Sequence, residues 1–205
     1  MTPRTKEQND EIRAARIRQI LAAAADVYLA KGVMLEIRDV AARAGLGYGT
    51  VYHYYRNKHE LLHDMLWHAF EQARAATDAA FDQDGAPLGR LRRGLKHLLR
   101  LWLDQPSVYI LYKMVAENFH HMPSDRFPGL YDRFRQELYQ PVAALLREGG
   151  GLPYPEKRAN MVIGSLIGCA GLYIHHRHME IDIDEAVDVW FAGTVGIDHE
   201  DRKEI

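Results

Sequence analysis

Apolar side chains recur at steps of three and four residues along almost the whole of this 205-residue chain. That spacing places them on one face of an α-helix, whereas a half-buried strand needs strict alternation. No run of four or more residues alternates convincingly. The sequence therefore predicts an all-α fold. The three clearest stripes are Ile17, Ile20, Leu21, Ala24, Val27 and Tyr28; Leu61, Leu62, Met65, Leu66, Ala69 and Phe70; and Leu88, Leu91, Leu95, Leu98, Leu99 and Trp102.

Glycine and proline divide the chain into helical segments. Asp84-Gly85-Ala86-Pro87 separates two of them, and the strongest break is Gly-Gly-Gly-Leu-Pro at residues 149–153. Proline fits the first turn of a helix but disrupts its interior. We expect about nine helices, three in residues 9–55 and six in the remainder, the last two spanning about 155–178 and 184–195.

Composition is typical of a globular domain in a reducing compartment. Hydrophobic residues make up 47% and charged residues 26% of the chain, which excludes wholesale disorder. Cys169 is the only cysteine, so no intrachain disulfide can form. The polar N-terminus has no apolar signal segment, and the longest apolar run, residues 161–174, is too short to span a bilayer. We therefore expect a cytoplasmic protein with no membrane partner.

Charge is distributed unevenly along the chain. The net charge of −2 excludes a chain that is basic throughout. Residues 1–60 contain ten Lys and Arg and seven Asp and Glu, a net charge of +3, which leaves −5 for residues 61–205. A basic N-terminal unit on an acidic body is consistent with nucleic-acid binding at one end.

Residues 32–62 have the pattern of a helix-turn-helix. One apolar face in residues 37–44 predicts a short helix, Gly-Leu-Gly at residues 45–47 predicts a tight turn, and residues 48–55 predict a second short helix. The second helix of such a motif can enter the major groove of DNA, where hydroxyl and imidazole groups reach phosphates or base edges. The side chains with such polar groups are Thr50, Tyr52, His53 and Tyr54.

A longer pattern surrounds this turn. It consists of Arg38-Asp39-Val40-Ala41, Ala44-Gly45-Leu46, Gly49-Thr50-Val51-Tyr52-His53-Tyr54-Tyr55, Asn57-Lys58 and Leu61-Leu62. The pattern resembles the DNA-binding domain of the TetR (tetracycline-repressor) family of bacterial transcription regulators. It covers about 30 residues closely, and the chain length and all-helical plan fit that family throughout.

The resemblance implies which residues meet DNA. Val51 and Tyr55 are expected to pack inward, and Arg38 to lie near a phosphate. Two positions depart from the family pattern: Glu-Ile at residues 36–37 replaces the usual capping Thr or Ser, and Gly47 replaces the usual Ser. The residues expected to face DNA are Tyr48, Gly49, Thr50, Tyr52, His53, Tyr54 and Lys58.

The resemblance also implies the function. We expect a three-helix DNA-binding domain at residues 9–57, a six-helix effector-binding and dimerisation domain at 58–197, and flexible segments at 1–8 and 198–205. The expected protein is a homodimeric repressor that an unknown small-molecule effector releases from operator DNA. Its two-fold symmetry implies a near-palindromic operator. No enzymatic activity, cofactor or metal is expected.

A competing motif begins at His59. Residues 59–63 read His-Glu-Leu-Leu-His, the zinc-protease pattern in which His59 and His63 bind zinc and Glu60 acts as the base. A catalytic zinc also needs a third protein ligand, and the two leucines already belong to the TetR-like pattern. A zinc-dependent hydrolase is therefore the alternative function, and a small-molecule binder with no role in DNA binding is a third.

Aromatic residues are spread over three consecutive predicted helices of the body. The resemblance implies an effector cavity there, and rings with a few polar tips can line one. Packing of the core alone is the competing interpretation. The residues expected to bind the effector are Trp102, Tyr109, Tyr112, Phe119 and Phe134.

Three glycines share one face of the helix predicted at 155–178. Gly164, Gly168 and Gly171 lie at positions i, i+4 and i+7, and each costs about 1 kcal/mol relative to alanine in a helix interior. Their presence favours close approach of another helix. By resemblance, the last two helices form a four-helix dimer interface to which Trp190 and Phe191 contribute; packing within one chain is the alternative.

Overall fold

The computed structural model describes residues 5–81, 84–117, 127, 129–149, 153–176 and 181–194, and every regular element in these ranges is helical. A 3₁₀ turn, Gly32–Met34, follows the first helix, and a π-helical turn, Arg135–Tyr139, joins the helices Leu130–Phe134 and Gln140–Glu148 without a break. The α-helices are α1 (Lys6–Lys31), α2 (Ile37–Ala44), α3 (Tyr48–Tyr54), α4 (Lys58–Phe81), α5 (Pro87–Asp104), α6 (Pro106–Ala116), α7 (Leu130–Phe134), α8 (Gln140–Glu148), α9 (Pro155–His175) and α10 (Ile183–Thr194).

The all-α prediction is confirmed, and the described ranges contain the nine expected helices when α7, the π turn and α8 count as one. The start of α1 differs from the prediction, because Thr5 and Gln8 form a capping box in which each side chain accepts a hydrogen bond from the backbone of the other. Residues 6–8, expected to be flexible, are therefore helical. Residues 198–205 lie outside the described ranges.

The N-terminal head consists of α1, α2 and α3 packed together. Gln19 in α1 donates a hydrogen bond to the Ala44 carbonyl at 2.7 Å, and Arg43 in α2 pairs with Asp26 of α1. At about 39 Å, α1 is long enough to pack on α4 and α6 of the body as well. The head is therefore attached to the body by side-chain packing, in addition to the chain itself.

The body is built around α5, which packs against α4, α6, α8, α9 and α10. The crossing with α4 is very close at Gly94, where an added Cβ atom would lie 1.7 Å from a ring carbon of Phe81. Only glycine permits the two helices to approach in this way. None of the helices in the described ranges is both long and apolar enough to cross a membrane.

Ion pairs attach α10 to α5. Arg92 pairs with Asp188 at 2.6 Å, Lys96 contacts both Asp184 and Asp188 at 2.9 Å, and Arg100 pairs with Asp184 at 2.7 Å. Beneath this network, Val187 is fully buried. The last helix is therefore held on its own chain by the buried Val187, by partly buried apolar side chains around it, and by ion pairs.

Candidate nucleic-acid interface and body cavity

The turn between α2 and α3 needs glycine at one position. Gly45 has φ 65° and ψ 33°, the left-handed region, and its N–H donates to the carbonyls of Ala41 and Ala42. The next N–H, of Leu46, donates to the Ala41 carbonyl at 2.9 Å. These bonds satisfy carbonyls at the end of α2 and reverse the chain, as in a Schellman-type cap. Gly47 then begins α3 in an extended conformation with no side-chain cap.

The short helix α3 has a buried face and an exposed face. Val51 is fully buried and Tyr55, directly after the helix, is 4% exposed, as expected. The Tyr55 hydroxyl donates to Asp64 at 3.2 Å, and burial, reinforced by that carboxylate, raises the pKa of the phenol. On the opposite face, Tyr48 and Tyr52 are 55% and 46% exposed. Two inward anchors thus hold a helix whose outer rings face solvent.

The outer rings of α3 form an ordered surface. Tyr48 and Tyr52, one turn apart, stack with centroids 5.7 Å apart and 26° between their planes. Gly49, Thr50 and His53 are also exposed, and an added Cβ atom at Gly49 would meet nothing within 4 Å. A flat, protruding surface of this kind can approach a DNA groove. We call Tyr48, Gly49, Thr50, Tyr52 and His53 the reading face.

Tyr54 differs from the reading face. It is half-buried and packs against the hydrophobic core, with its ring edge-on to His53 at 5.6 Å. A helix of seven residues turns Tyr54 partly towards the head, because it lies three residues beyond the buried Val51.

The two expected phosphate ligands have different surroundings. Arg38 is 73% exposed and its guanidinium pairs with Glu36 at 2.7 Å. Glu36 is the N-cap residue of α2, but its side chain makes no capping bond. Lys58 is half-buried, and its ammonium donates to the Val33 carbonyl at 2.8 Å. Lys58 therefore also joins α4 to the 3₁₀ turn, and two ammonium protons remain for other acceptors.

The first turn of α4 accounts for the His-Glu-Leu-Leu-His sequence without zinc. Asn57 Oδ1 accepts from the backbone N–H groups of His59 and Glu60, both at 3.0 Å. The Glu60 carboxylate accepts from Asn57 Nδ2 at 2.8 Å and from the Arg56 N–H at 3.0 Å. Asn57 thus caps the first turn of α4, and Glu60 holds the Asn57 side chain in place. Glu60 therefore has a structural role at the start of α4.

His63 is engaged with aromatic neighbours, one on its own helix and one outside it. Its Nε2 atom accepts from the Trp67 indole at 3.1 Å, and its ring stacks on Phe127. Within the described ranges, no three His, Cys, Asp or Glu side chains come together in a group that could hold a metal ion. The structure thus gives no support to the hydrolase alternative.

Residues 20–65 match the sequence profile of the family described as "Bacterial regulatory proteins, tetR family". The match includes α2, the turn, α3 with its reading face and the start of α4. Residues 20–65 therefore carry a DNA-binding domain of the tetR family. The resemblance seen in the sequence is confirmed, and with it the assignment of the chain to DNA-binding transcription regulators. No curated protein sequence matches the chain.

Solved structures share the complete tetR-family fold with this chain. A TetR-like transcriptional regulator from Rhodococcus sp. RHA1 has a TM-score of 0.70 and 24% identity over 94% of this chain and 95% of its own. The ketosteroid regulator KstR2 of Mycobacterium tuberculosis gives 0.68 and 19%, over 88% and 93%. AibR, in complex with isovaleryl coenzyme A and operator DNA, gives 0.69 and 15%, over 88% and 98%.

A cavity of about 630 Å³ opens in the body of this tetR-family protein. Two of the residues expected to bind an effector, Tyr112 and Phe134, line it. Trp102 and Tyr109 do not; both are buried in the core, where their rings pack edge-on at 6.4 Å. Phe119 lies outside the described ranges. The pattern of aromatic residues could not separate cavity from core, because both require rings on inward faces.

Several cavity residues carried no signal in the sequence. They come from the π turn, the first residue of α8, and α9, elements that are brought together by the packing of α8 on α9. These residues are Arg135, Tyr139, Gln140, Asn160 and Ile163.

The glycines of α9 fall into two groups. At Gly164 and Gly168 an added Cβ atom would meet nothing within 4 Å. At Gly171 it would lie 2.7 Å from the Tyr109 hydroxyl of the same chain. Packing within the chain therefore explains Gly171, contrary to its expected place in a dimer interface.

An apolar surface surrounds the two open glycines. Met161 and Leu172, on the same face of α9, are 59% and 57% exposed. On α10, Val189 is 68% exposed, whereas the expected contact residues Trp190 and Phe191 are half-buried against their own core. We call Met161, Gly164, Gly168, Leu172 and Val189 the α9–α10 face.

Proposed function

We propose that this tetR-family protein is a cytoplasmic, homodimeric transcriptional repressor that a small-molecule effector releases from a near-palindromic operator. The observation that carries this proposal is the reading face: exposed, stacked tyrosines on a two-turn helix anchored from within by Val51 and Tyr55. Because these rings remain in water, their exposed surfaces do not contribute to the packing of the head. Contact with the major groove of DNA would give these exposed rings a binding role.

Charges near the reading face favour a phosphate backbone. Arg38 lies at the start of α2 and Lys58 at the start of α4, on either side of α3. We propose that both contact phosphates, Arg38 by exchanging its exposed Glu36 partner and Lys58 through the protons that Val33 leaves free. These contacts position the head, and Tyr48, Thr50, Tyr52 and His53 read the sequence.

The α9–α10 face supports the homodimer. Large apolar side chains around two glycines with open space above them allow a second helix to approach closely. A two-fold dimer places two α3 helices at a fixed separation, so each half-site is one helical turn, or a multiple of it, from the other.

Release from DNA requires an effector with different affinities for two conformations of the dimer. It must bind more tightly to the conformation whose heads are not at the separation that fits the operator. Ion pairs between the cavity wall and α4 support such coupling. Arg133 in α7 pairs with Glu71 of α4 at 3.4 Å and with Glu137 of the π turn at 2.7 Å, and Arg74 of α4 reaches Glu137 at 3.8 Å. The Arg133 guanidinium also lies 4.5 Å from the centre of the Phe70 ring. Since α4 begins at the reading head, movement of the π turn is transmitted towards DNA.

Selection from a pool of random duplexes, read by gel shift and sequencing, tests the proposal. We expect enrichment of one near-palindromic site. Tyr48→Ala and His53→Ala are then compared with Tyr154→Ala, which removes an exposed tyrosine of the body that does not line the cavity. The two head variants should lose about 1–3 kcal/mol of discrimination at particular base pairs, whereas Tyr154→Ala should keep the wild-type profile.

Lys58→Ala distinguishes a phosphate contact, which positions the head on DNA, from a base contact, which reads the sequence. It should weaken binding to all duplexes alike and reduce the slope of log K against log salt by about 1. Lys58→Arg keeps the charge and is the matched control. A wild-type protein that enriches no duplex contradicts the regulatory function.

A further inference from the structure

The body cavity is half-open and lies between α6, the π turn and the N-terminal half of α9. Its volume of about 630 Å³ suits a small organic molecule, for which sites of about 300–1,000 Å³ are typical. One wall is aromatic and buried: Tyr112 is 1% exposed, Phe134 is 4% exposed, and their rings meet edge to face at 4.8 Å. This end of the cavity can accept an apolar or aromatic skeleton.

The lining of the cavity also carries an unbalanced positive charge. Arg135 lines the cavity, and no carboxylate among the described residues lies within ion-pair distance of its guanidinium. The one acidic lining residue, Glu156, is already paired with Arg147 at 2.7 Å. The Gln140 and Asn160 amides, also in the lining, make no hydrogen bond to the described residues. Three groups that can donate hydrogen bonds therefore face one opening.

The π turn sets the position of this charge. Such turns are rare, and they recur at functional sites because the extra residue redirects the side chains around it. Here the segment of five residues, Arg135–Tyr139, follows directly on Phe134. It places the cation beside the aromatic wall, and Arg135, Tyr139 and Gln140 all line the same cavity. A cation beside an apolar wall matches an amphipathic anion.

We propose that this cavity binds an effector with an apolar or aromatic skeleton and one anionic group, held by Arg135. The inference rests on the regulatory function proposed above and names its ligand class. The skeleton lies on Tyr112 and Phe134, and the anion accepts hydrogen bonds from the Arg135 guanidinium, assisted by the Asn160 and Gln140 amides. A carboxylate and a phosphate both satisfy these donors.

Two fluorescent probes that differ by one anionic group test this inference. 8-Anilino-1-naphthalenesulfonate carries a sulfonate, and N-phenyl-1-naphthylamine is the same skeleton without it. Wild-type protein should bind the anionic probe at least about tenfold more tightly, since a charge-assisted contact contributes about 1.4 kcal/mol or more. In Arg135→Gln the two affinities should agree within about twofold, while Arg135→Lys should recover part of the preference. Competition with 2-naphthoate and 2-naphthyl phosphate then distinguishes a carboxylate effector from a phosphate one.

Arg18→Gln, which removes an exposed arginine of α1 far along the chain from the cavity, is the charge-matched control and should behave as wild type. A wild-type protein without preference for the anionic probe overturns the inference, as does an Arg135→Gln variant that keeps the wild-type preference. Both measurements use the full chain without DNA. Loss of the probe preference with an intact operator selection therefore refutes the ligand class alone, and the reverse result refutes the regulatory function alone.

Discussion

Replacing Asp188 by asparagine should release α10 from α5. Asp188 accepts a hydrogen bond from Arg92 at 2.7 Å and contacts Lys96 at 2.9 Å. The Arg92 bond, reinforced by Lys96, lowers the pKa of this carboxyl from 3.8 to about 2. That difference corresponds to at most about 2.4 kcal/mol. Because the side chain is 34% exposed, solvent screening reduces the expected contribution to about 1 kcal/mol.

The pH dependence follows from the direction of this pKa change. A carboxylate whose pKa is lower in the folded state stabilises the fold above its unfolded pKa of about 4 and loses that effect as the pH falls towards 2. At pH 7, Asp188→Asn should therefore lower the free energy of unfolding by about 1 kcal/mol and the Tm by about 2–4 °C. Well below pH 2, where the carboxyl is protonated in both the folded and the unfolded state, the variant and the wild type should have the same stability.

Urea denaturation followed by circular dichroism measures this effect, because urea leaves ion pairs unscreened. Glu185→Gln, which neutralises an exposed carboxylate on the same helix, is the matched control. Hydrogen exchange in α10 reports whether that helix opens first, and light scattering reports whether the proposed dimer weakens with it. Equal stabilities for Asp188→Asn and Glu185→Gln at pH 7, or a difference between Asp188→Asn and wild type that does not shrink as the pH falls through 2, would refute the reasoning.

Substitutions at four further positions test the packing described above. Asn57→Ala removes the cap of α4 and should lower the unfolding free energy by about 1 kcal/mol in calorimetry, whereas Asn57→Asp keeps the cap; equal losses in both would contradict this role. Gly94→Ala should destabilise the body by about 1–3 kcal/mol in denaturant, since its Cβ atom would lie 1.7 Å from a ring carbon; an unchanged midpoint would show that the helices can separate at no cost. Gly171→Ala should lower the Tm, because its Cβ atom would lie 2.7 Å from a buried tyrosine hydroxyl, whereas Gly168→Ala should leave the Tm unchanged or higher at low concentration and weaken dimerisation in light scattering. A Gly168→Ala variant that associates as strongly as wild type argues against the α9–α10 face.

Local patterns in the sequence were sufficient for the head. The resemblance to the TetR pattern predicted that Val51 and Tyr55 pack inward, and their burial confirms it. Side chains four residues apart share one face of a helix, so both belong to the same anchoring face. Gly45 marked the turn for an equally local reason, its left-handed backbone. The cap of α4 by Asn57 is equally local, because its acceptor meets N–H groups two and three residues further on, although Glu60 in the same turn also suggested a metal motif.

Contacts between distant parts of the chain could not be predicted in this way. Lys58 was expected at a phosphate, but its bond to Val33 joins residues 25 apart in the chain. Gly171 was expected at a dimer interface, but it lies against Tyr109 of α6. Whether a ring such as Trp102 packs the core or lines a cavity depends on which helices meet around it.

The sequence by itself determined the helices, the turn of the reading head and its family, because each depends on residues within a few turns of one another. Only the tertiary structure decided that Arg135 stands beside an aromatic wall, that Glu156 is already paired, and that two of three glycines remain open. The physical reason is that burial and charge pairing depend on the approach of helices far apart in the chain, and periodicity within one helix carries no information about its neighbours.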